Sequence, residues 1–207
     1  GARQVGKTTL VKNLLQRHLT RSIYLNCDEL DVRDALTNKT STEIKDFLGN
    51  NQLVVLDEAQ RINNIGLTIK LIVDNFPEIQ VVATGSSAFE LSNKIVEPLT
   101  GRKFEFYLYQ LSYNELASYY SSTLERRRHL ERRILYGMYP EAVLLAGEEE
   151  KEAVKNITRS YLYKDILAFQ NIKSPEVLEK LLQALALQIG NEVSYNELSQ
   201  IVGVDKN

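Results

Sequence analysis

The clearest chemistry of the chain lies in its first eight residues, Gly1-Ala2-Arg3-Gln4-Val5-Gly6-Lys7-Thr8, which follow the pattern G-x-x-x-x-G-K-[ST]. In a loop of this pattern the glycines let backbone N–H groups curl around phosphate oxygens. Lys7 reaches the β- and γ-phosphates, and Thr8 offers its hydroxyl to Mg²⁺. A helix that starts here points its positive N-terminus at the same phosphates. The pattern predicts a nucleotide phosphate site made by residues 1 to 8 together with Thr9.

A second motif, residues 52 to 58, is a short apolar run that ends in two carboxylates, Asp57 and Glu58. Such a run is typical of a strand buried on both faces, and its acids then emerge at the carboxyl edge of the sheet, where ligands bind in open α/β folds. We expect Asp57 to hold Mg²⁺ through its water shell and Glu58 to polarise the attacking water. The alternative is a pair of solvated acids that cap the next helix.

The nucleotide predicted from these motifs is ATP. An acid directly after the metal-binding Asp57 is the arrangement expected of a hydrolysing ATPase, and no guanine-reading N-K-x-D tetrapeptide occurs in the chain.

The order of elements indicates the fold class. Helical patterns near 7–19, 42–49 and 64–76 alternate with strand patterns at 22–27, 52–57 and 80–85, and residues between 27 and 42 read as an irregular acidic stretch. This alternation predicts an α/β fold with a parallel sheet flanked by helices. Because a buried strand feeds the loop in the P-loop architecture, we expect a chain that begins at Gly1 to be a fragment without its first strand, and to be unstable for that reason.

The third strand pattern ends in small polar residues, Thr84-Gly85-Ser86-Ser87. If this strand lies between the strand that feeds the phosphate-binding loop and the strand that ends at Asp57, its carboxyl end faces the γ-phosphate. A hydroxyl of Thr84 or Ser86 can then sense whether that phosphate is present. The alternative is a glycine-containing turn with Ser87 as the N-cap of the following helix.

Arg102 precedes a segment with strong strand character, residues 103–109, which we expect to be the last strand of the core. An arginine at the entry to that strand lies on the rim of the site. From there it could reach the nucleotide of a neighbouring subunit and act as an arginine finger. Such an arginine stabilises the charge of the transition state and raises the rate by roughly 10³ to 10⁵. The alternative is a rim arginine paired with a local carboxylate such as Glu97.

Taken together, these residues resemble the AAA-type branch of P-loop ATPases, and in particular a prokaryotic family of predicted ATPases. The resemblance rests on residues 1–10, V-V-L-D-E-A-Q at 54–60, T-G-S-S at 84–87, L-T-G-R at 99–102 and Y-P-E-A-V at 139–143, and it covers essentially the whole chain. In that family a nucleotide-binding domain is followed by a helical and winged-helix region and then a domain of unknown function. The resemblance implies ATP and Mg²⁺ as cofactors and the same roles for Lys7, Thr8, Asp57 and Glu58.

After residue 110 the patterns are helical, and we expect an ATPase core at 1–110, a helical lid at 111–173 and the start of a winged helix at 174–207. Ser112 is a predicted N-cap. Tyr139 and Pro140 could line the base pocket, because related ATPases place a turn of this kind near the adenine, or they could form a plain helix-breaking turn. The arginine-rich run 125–133 invites a nucleic-acid interpretation, but interleaved Glu125 and Glu131 favour a solvated amphipathic helix.

Residues 194–205 look like the first half of a helix-turn-helix, with a capped short helix, a glycine turn and Asp205 as the next cap. The second helix, which would enter the major groove, is not in the sequence. DNA binding through that missing part is therefore one expectation, and a protein-interaction or lever module with an unknown protein client is the other.

Composition limits the class of protein. The chain has 207 residues, 43% of them hydrophobic, and a net charge of −2, so no global charge drives it toward nucleic acid or anionic membrane. The longest apolar runs are strand-sized, which argues against a membrane span. The single cysteine, Cys27, is expected to be a small packed side chain at a strand end. Cytoplasm is the expected compartment.

Overall fold

The computed structural model describes residues 1–17, 21–85, 99–159 and 175–204. The described residues form two compact units, one up to Val143 and one from Leu144 onward. The first unit holds a sheet with helices around it. In chain order its elements are α1 Lys7–Arg17, β1 Ser22–Asn26, α2 Leu30–Leu36, α3 Ser41–Leu48, β2 Leu53–Asp57, a 3-10 turn Ala59–Arg61, α4 Ile65–Asn75, β3 Gln80–Ala83, α5 Tyr113–Ala117, α6 Thr123–Tyr136 and α7 Pro140–Leu144.

The three strands pair in parallel in the order β1-β2-β3, so β2 is central in the described sheet. In this register Asn26 lies beside Asp57, and Leu56 lies beside Ala83. The carboxyl ends of all three strands therefore meet at one edge. The predicted α/β class with a parallel sheet is confirmed.

The central strand is buried on both faces, because Val54, Val55 and Leu56 are all fully inaccessible to solvent. Burial of each such side chain contributes roughly 1.5 to 3 kcal/mol. The main core lies around this strand and is formed by Leu25, Cys27, Val32, Leu36, Ile44, Leu48, Val54, Leu56, Ala59, Ile62, Ile65, Ile69, Ile72, Ile79 and Leu99. Cys27 is buried and free, as its position at the end of β1 predicts.

Two predictions of secondary structure are wrong. The acidic stretch after β1 contains α2, whose Val32 and Leu36 stand four residues apart and bury one face of the helix in the core. The segment 103–109 is not a strand: Phe104 and Phe106 are 91% and 88% exposed. Aromatic residues favour a pleated surface only when neighbours supply hydrogen bonds and packing, and the described sheet ends at β3.

The second unit contains α8 Glu148–Ile157, α9 Pro175–Leu187 and α10 Tyr195–Val202 among its described residues, with α9 packed against α10. Ser194 caps α10 by accepting a hydrogen bond from the backbone of Glu197, and Gly203 ends that helix in the left-handed conformation. In the first unit Ser112 forms a reciprocal capping box with Glu115, so the predicted cap is confirmed. The predicted cap Asp205 lies outside the described residues.

Candidate functional site

The loop at residues 1–6 curls tightly before α1 begins at Lys7. Gln4 and Gly6 have positive φ angles of 57° and 95°, and Val5 between them is buried. The Lys7 ammonium folds back across the loop and donates to the carbonyl oxygens of Ala2 at 2.6 Å and Gly1 at 3.3 Å. Burial lowers the pKa of Lys7, and the charge of Arg3 lowers it further, against the opposing effect of Glu58 and Asp57. The Lys7 ammonium is thus held against backbone carbonyls of the loop.

The loop helix and the acid strand meet directly. Thr8 in the first turn of α1 donates from its hydroxyl to Oδ2 of Asp57 at 2.7 Å, across 49 residues of sequence. Asp57 is the last residue of β2 and is 3% exposed. The structure therefore brings together the two residues that the sequence assigns to Mg²⁺.

The Asp57 carboxylate accepts hydrogen bonds from three hydroxyl groups. Besides Thr8, Tyr24 on β1 donates to Oδ2 at 2.6 Å, and Thr84 just after β3 donates to Oδ1. Burial alone would raise the pKa of Asp57, but these hydroxyls and the backbone N–H of Glu58 outweigh burial, and the pKa of Asp57 lies below its ordinary value. The carboxylate is held in its ionised form, as a metal-binding group requires.

Glu58 occupies a sharp turn between β2 and the 3-10 turn. Its backbone is left-handed, with φ 55° and ψ 41°, which is unfavourable for a residue with a Cβ. Thr84 holds this turn: its hydroxyl oxygen accepts from the N–H of Glu58 at 3.3 Å, and its carbonyl accepts from the N–H of Ala59 at 2.9 Å. The Glu58 carboxylate in turn accepts a hydrogen bond from the buried amide of Gln60.

The donor set suits Mg²⁺. Mg²⁺ prefers oxygen ligands and usually keeps several waters, with one or two carboxylates and substrate phosphates completing its shell. The Thr8 hydroxyl and the ionised Asp57 carboxylate are such oxygens, and they lie at hydrogen-bond distance from each other beside the Lys7 loop. Cys27, although buried near the same edge, has its pKa raised to about 12 by burial and by the nearby acids, so it stays a neutral thiol.

The other predicted site residues lie at several places. Thr9 is exposed on α1, and Tyr139 and Pro140 stand at the start of α7, where the proline occupies the first helical position. Arg102 ends a turn closed by a hydrogen bond from its N–H to the carbonyl of Leu99 at 3.0 Å, so its predicted place at the entry to a strand is wrong. Its guanidinium pairs with Asp74 at the end of α4, and both side chains are partly exposed. Ser86, Ser87 and Glu97 lie outside the described residues.

Two residues of the site were missed by the sequence analysis, Tyr24 and Gln60. Tyr24 stands two residues before Asn26, the register partner of Asp57, so both Tyr24 and Asp57 face the same side of the sheet. That signal becomes readable only when the register is known. Gln60 belongs to the V-V-L-D-E-A-Q motif, but the motif alone does not show that its amide turns back to Glu58.

The parallel sheet, the glycine-containing loop before α1 and the acid at the end of the adjoining strand define a P-loop nucleotide-binding domain. The chain belongs to the AAA domain family, whose model matches residues 1–117. Residues 127–207 match a domain of unknown function, DUF8612. The resemblance found in the sequence is thus confirmed, and at the family level it indicates nucleotide binding and ATPase chemistry.

One curated relative is an uncharacterized protein of Haemophilus influenzae, 26% identical over 215 aligned positions that include 96% of this chain. The chain spans about half of that relative, 53% of its length. Within the described residues, every helix is too short or too polar to cross a bilayer.

Proposed function

We propose that this chain binds ATP with Mg²⁺ and hydrolyses it. The observation that carries the proposal is the 2.7 Å hydrogen bond from the Thr8 hydroxyl to Asp57 Oδ2, because it joins the phosphate-binding loop to the acid strand in the arrangement that a Mg²⁺-nucleotide site needs. Membership in the AAA domain family supports ATP as the nucleotide.

Each residue has a distinct role in the proposal. Backbone N–H groups of the loop and the N-terminus of α1 bind the phosphates, and Lys7 exchanges its bonds to the loop carbonyls for phosphate oxygens. Thr8 and Asp57 hold Mg²⁺, which supplies neutralisation of the phosphate charge. Glu58, held by Gln60 in a turn fixed by Thr84, accepts a proton from the attacking water.

Nucleotide state is proposed to move the helical region after residue 110. The segment that begins there is tied to the residues before α7, because the N–H of Leu111 donates to the carbonyl of Met138 at 3.1 Å. Tyr139 and Pro140 directly follow, and we place the base beside them. Binding of ATP would then order this turn.

Two substitutions test the proposal. Lys7→Ala should abolish tight ATP binding, because it removes the cation at the mouth of the loop, whereas Glu58→Gln should keep binding and lose turnover. Isothermal titration with ATP and Mg²⁺ measures binding, and phosphate release measures hydrolysis. Lys39→Ala is the matched control, because Lys39 is a lysine on the protein surface. Its described ion pair is with Glu43, four residues later on α3. Parent-rate hydrolysis by Glu58→Gln would contradict the assignment of the base.

A second candidate is a nucleotide-dependent switch with slow turnover, which two contacts would favour only if they outlast ATP binding. Glu58 is engaged by Gln60, and Arg102 is engaged by Asp74 in the same chain. If these contacts persist when ATP is bound, hydrolysis serves only to reset the switch. A single-turnover assay separates the two: a chemical step far slower than ATP association and release would favour the switch.

A further inference from the structure

The hydroxyl of Tyr24 is the least expected member of the site. Tyr24 lies in the middle of β1, and β1 pairs in parallel with β2 so that Asn26 and Asp57 are register partners. Tyr24 lies two residues before Asn26, and its side chain reaches along the strand toward Asp57. The Tyr24 hydroxyl donates to Asp57 Oδ2 at 2.6 Å. A phenylalanine would fill the same space, so packing alone does not explain the hydroxyl.

Two hydroxyls converge on one oxygen. Thr8 and Tyr24 both donate to Oδ2 of Asp57, while Thr84 donates to Oδ1. Thr8 also offers an oxygen lone pair to Mg²⁺, and its O–H can keep donating to Asp57 while the metal is held. Tyr24 is a second donor on the same Oδ2, and it lies on β1, outside the loop.

The ring of Tyr24 is itself held in place. The Lys12 ammonium lies 5.2 Å from the centre of the ring, within the range of a cation–π contact. Lys12 is on the exposed side of α1, one turn after Thr8. The ring is thus fixed between the helix that carries the loop and the carboxylate that ends β2.

We propose that Tyr24 is a positioning residue for the metal site: its hydroxyl fixes the orientation of the Asp57 carboxylate and thereby sets the concentration of Mg²⁺ that the site requires. The inference rests on the proposed function, because it assigns Mg²⁺ to Asp57. Outer residues that orient a metal-binding group commonly change metal affinity tenfold or more when they are replaced. Tyr24→Phe should therefore raise the Mg²⁺ concentration for half-maximal nucleotide binding roughly tenfold.

The experiment titrates Mg²⁺ into the full chain with a fluorescent, non-hydrolysable ATP analogue, and repeats the binding measurement in EDTA. Tyr113→Phe is the matched control, because Tyr113 also donates one hydroxyl hydrogen bond, to the carbonyl of Arg126 at 2.9 Å, away from the loop. We expect the Mg²⁺ midpoint to rise in Tyr24→Phe alone, with metal-free affinity equal in both variants. A general loosening of the fold would lower metal-free affinity as well.

The outcomes separate the two proposals. A parent chain that binds the analogue equally with Mg²⁺ and with EDTA overturns the proposed function and this inference with it. A parent that needs Mg²⁺, together with Tyr24→Phe at the parent midpoint or below it, overturns the inference alone. If Tyr24→Phe does not fold, Lys12→Gln gives the second test. Loss of the Lys12 charge by itself would lower the Mg²⁺ midpoint. A rise of the midpoint in Lys12→Gln therefore supports the positioning role of the Tyr24 ring, and an unchanged or lower midpoint contradicts it.

Discussion

Gln60 donates a hydrogen bond from its side-chain amide to Oε2 of Glu58, two residues before it in the sequence. The contact is possible because Glu58 turns the chain in the left-handed conformation, and the 3-10 turn that follows brings residue 60 back over residue 58. Gln60 is 6% exposed and Glu58 is half-buried, so this bond is partly shielded from bulk water. The base assigned to hydrolysis is therefore held by a neutral donor from its own motif.

Gln60→Met should lower turnover about tenfold with little change in ATP affinity. Methionine keeps the length of the side chain but has no amide donor, so the Glu58 carboxylate loses its orientation while the loop and the metal residues stay in place. Steady-state phosphate release gives kcat, and titration in the presence of Mg²⁺ gives the affinity.

The opposite result would also be informative. Turnover that rises in Gln60→Met would show that the amide holds Glu58 back in the resting state. That result would contradict the positioning role and favour the switch over the hydrolase. Gln188→Met, a glutamine in the second unit that follows α9, serves as the control for a general effect of the substitution.

The sequence locates the loop, the acid pair and the strands of this chain better than it locates their long-range contacts. The loop and the acid pair are local patterns, and strands β1, β2 and β3 are found within two residues because each is a short apolar run between turn or helix signals. The roles of Tyr24 and Thr84 depend on strand register, which a parallel sheet sets through long-range pairing. The segment 103–109 fails for the related reason that strand propensity depends on a partner.

Thr84→Val should destabilise the chain by about 1 to 3 kcal/mol, because it removes the hydroxyl that links Asp57 to the N–H of Glu58 and leaves those buried groups without that partner. Thr84→Ser keeps the hydroxyl and should lose less. Denaturant unfolding without nucleotide measures the difference between the two variants. Equal stability of the Thr84→Val and Thr84→Ser chains would show that the link contributes nothing to the turn.

Arg102 is predicted to act on a neighbouring subunit, and its present pairing does not prevent this. The Arg102 and Asp74 side chains are 49% and 36% exposed, and ion pairs of this kind contribute about 0 to 1 kcal/mol. A mixture of Arg102→Ala and Lys7→Ala chains should therefore recover part of the hydrolysis that each variant lacks, since the Arg102→Ala chain keeps an intact loop and receives an arginine from its neighbour.

A mixture of Lys7→Ala and Glu58→Gln is the control, because both defects lie in the same site of their own chain and no intact site can form. Recovery in both mixtures would show that the recovered hydrolysis does not come from an arginine supplied by the neighbouring subunit. Absence of recovery with Arg102→Ala, in variants that still associate, would leave Arg102 as a surface partner of Asp74.

Asp57 should make the stability of the metal-free chain depend on pH. Burial opposes the charge of Asp57, but the hydroxyls of Thr8, Thr84 and Tyr24 prevail and keep its pKa in the folded chain below the unfolded value of about 3.9. The ionised carboxylate therefore stabilises the fold above that unfolded pKa, and this contribution is lost as the pH falls through the folded pKa. Asp57→Asn should be less stable than the parent near neutral pH, with the difference in unfolding free energy closing in acid. Denaturant unfolding at a series of pH values measures that difference, and Asp46→Asn, which removes an exposed carboxylate on α3, is the control. A difference that stays constant with pH would mean that the three hydroxyls do not hold the charge of Asp57.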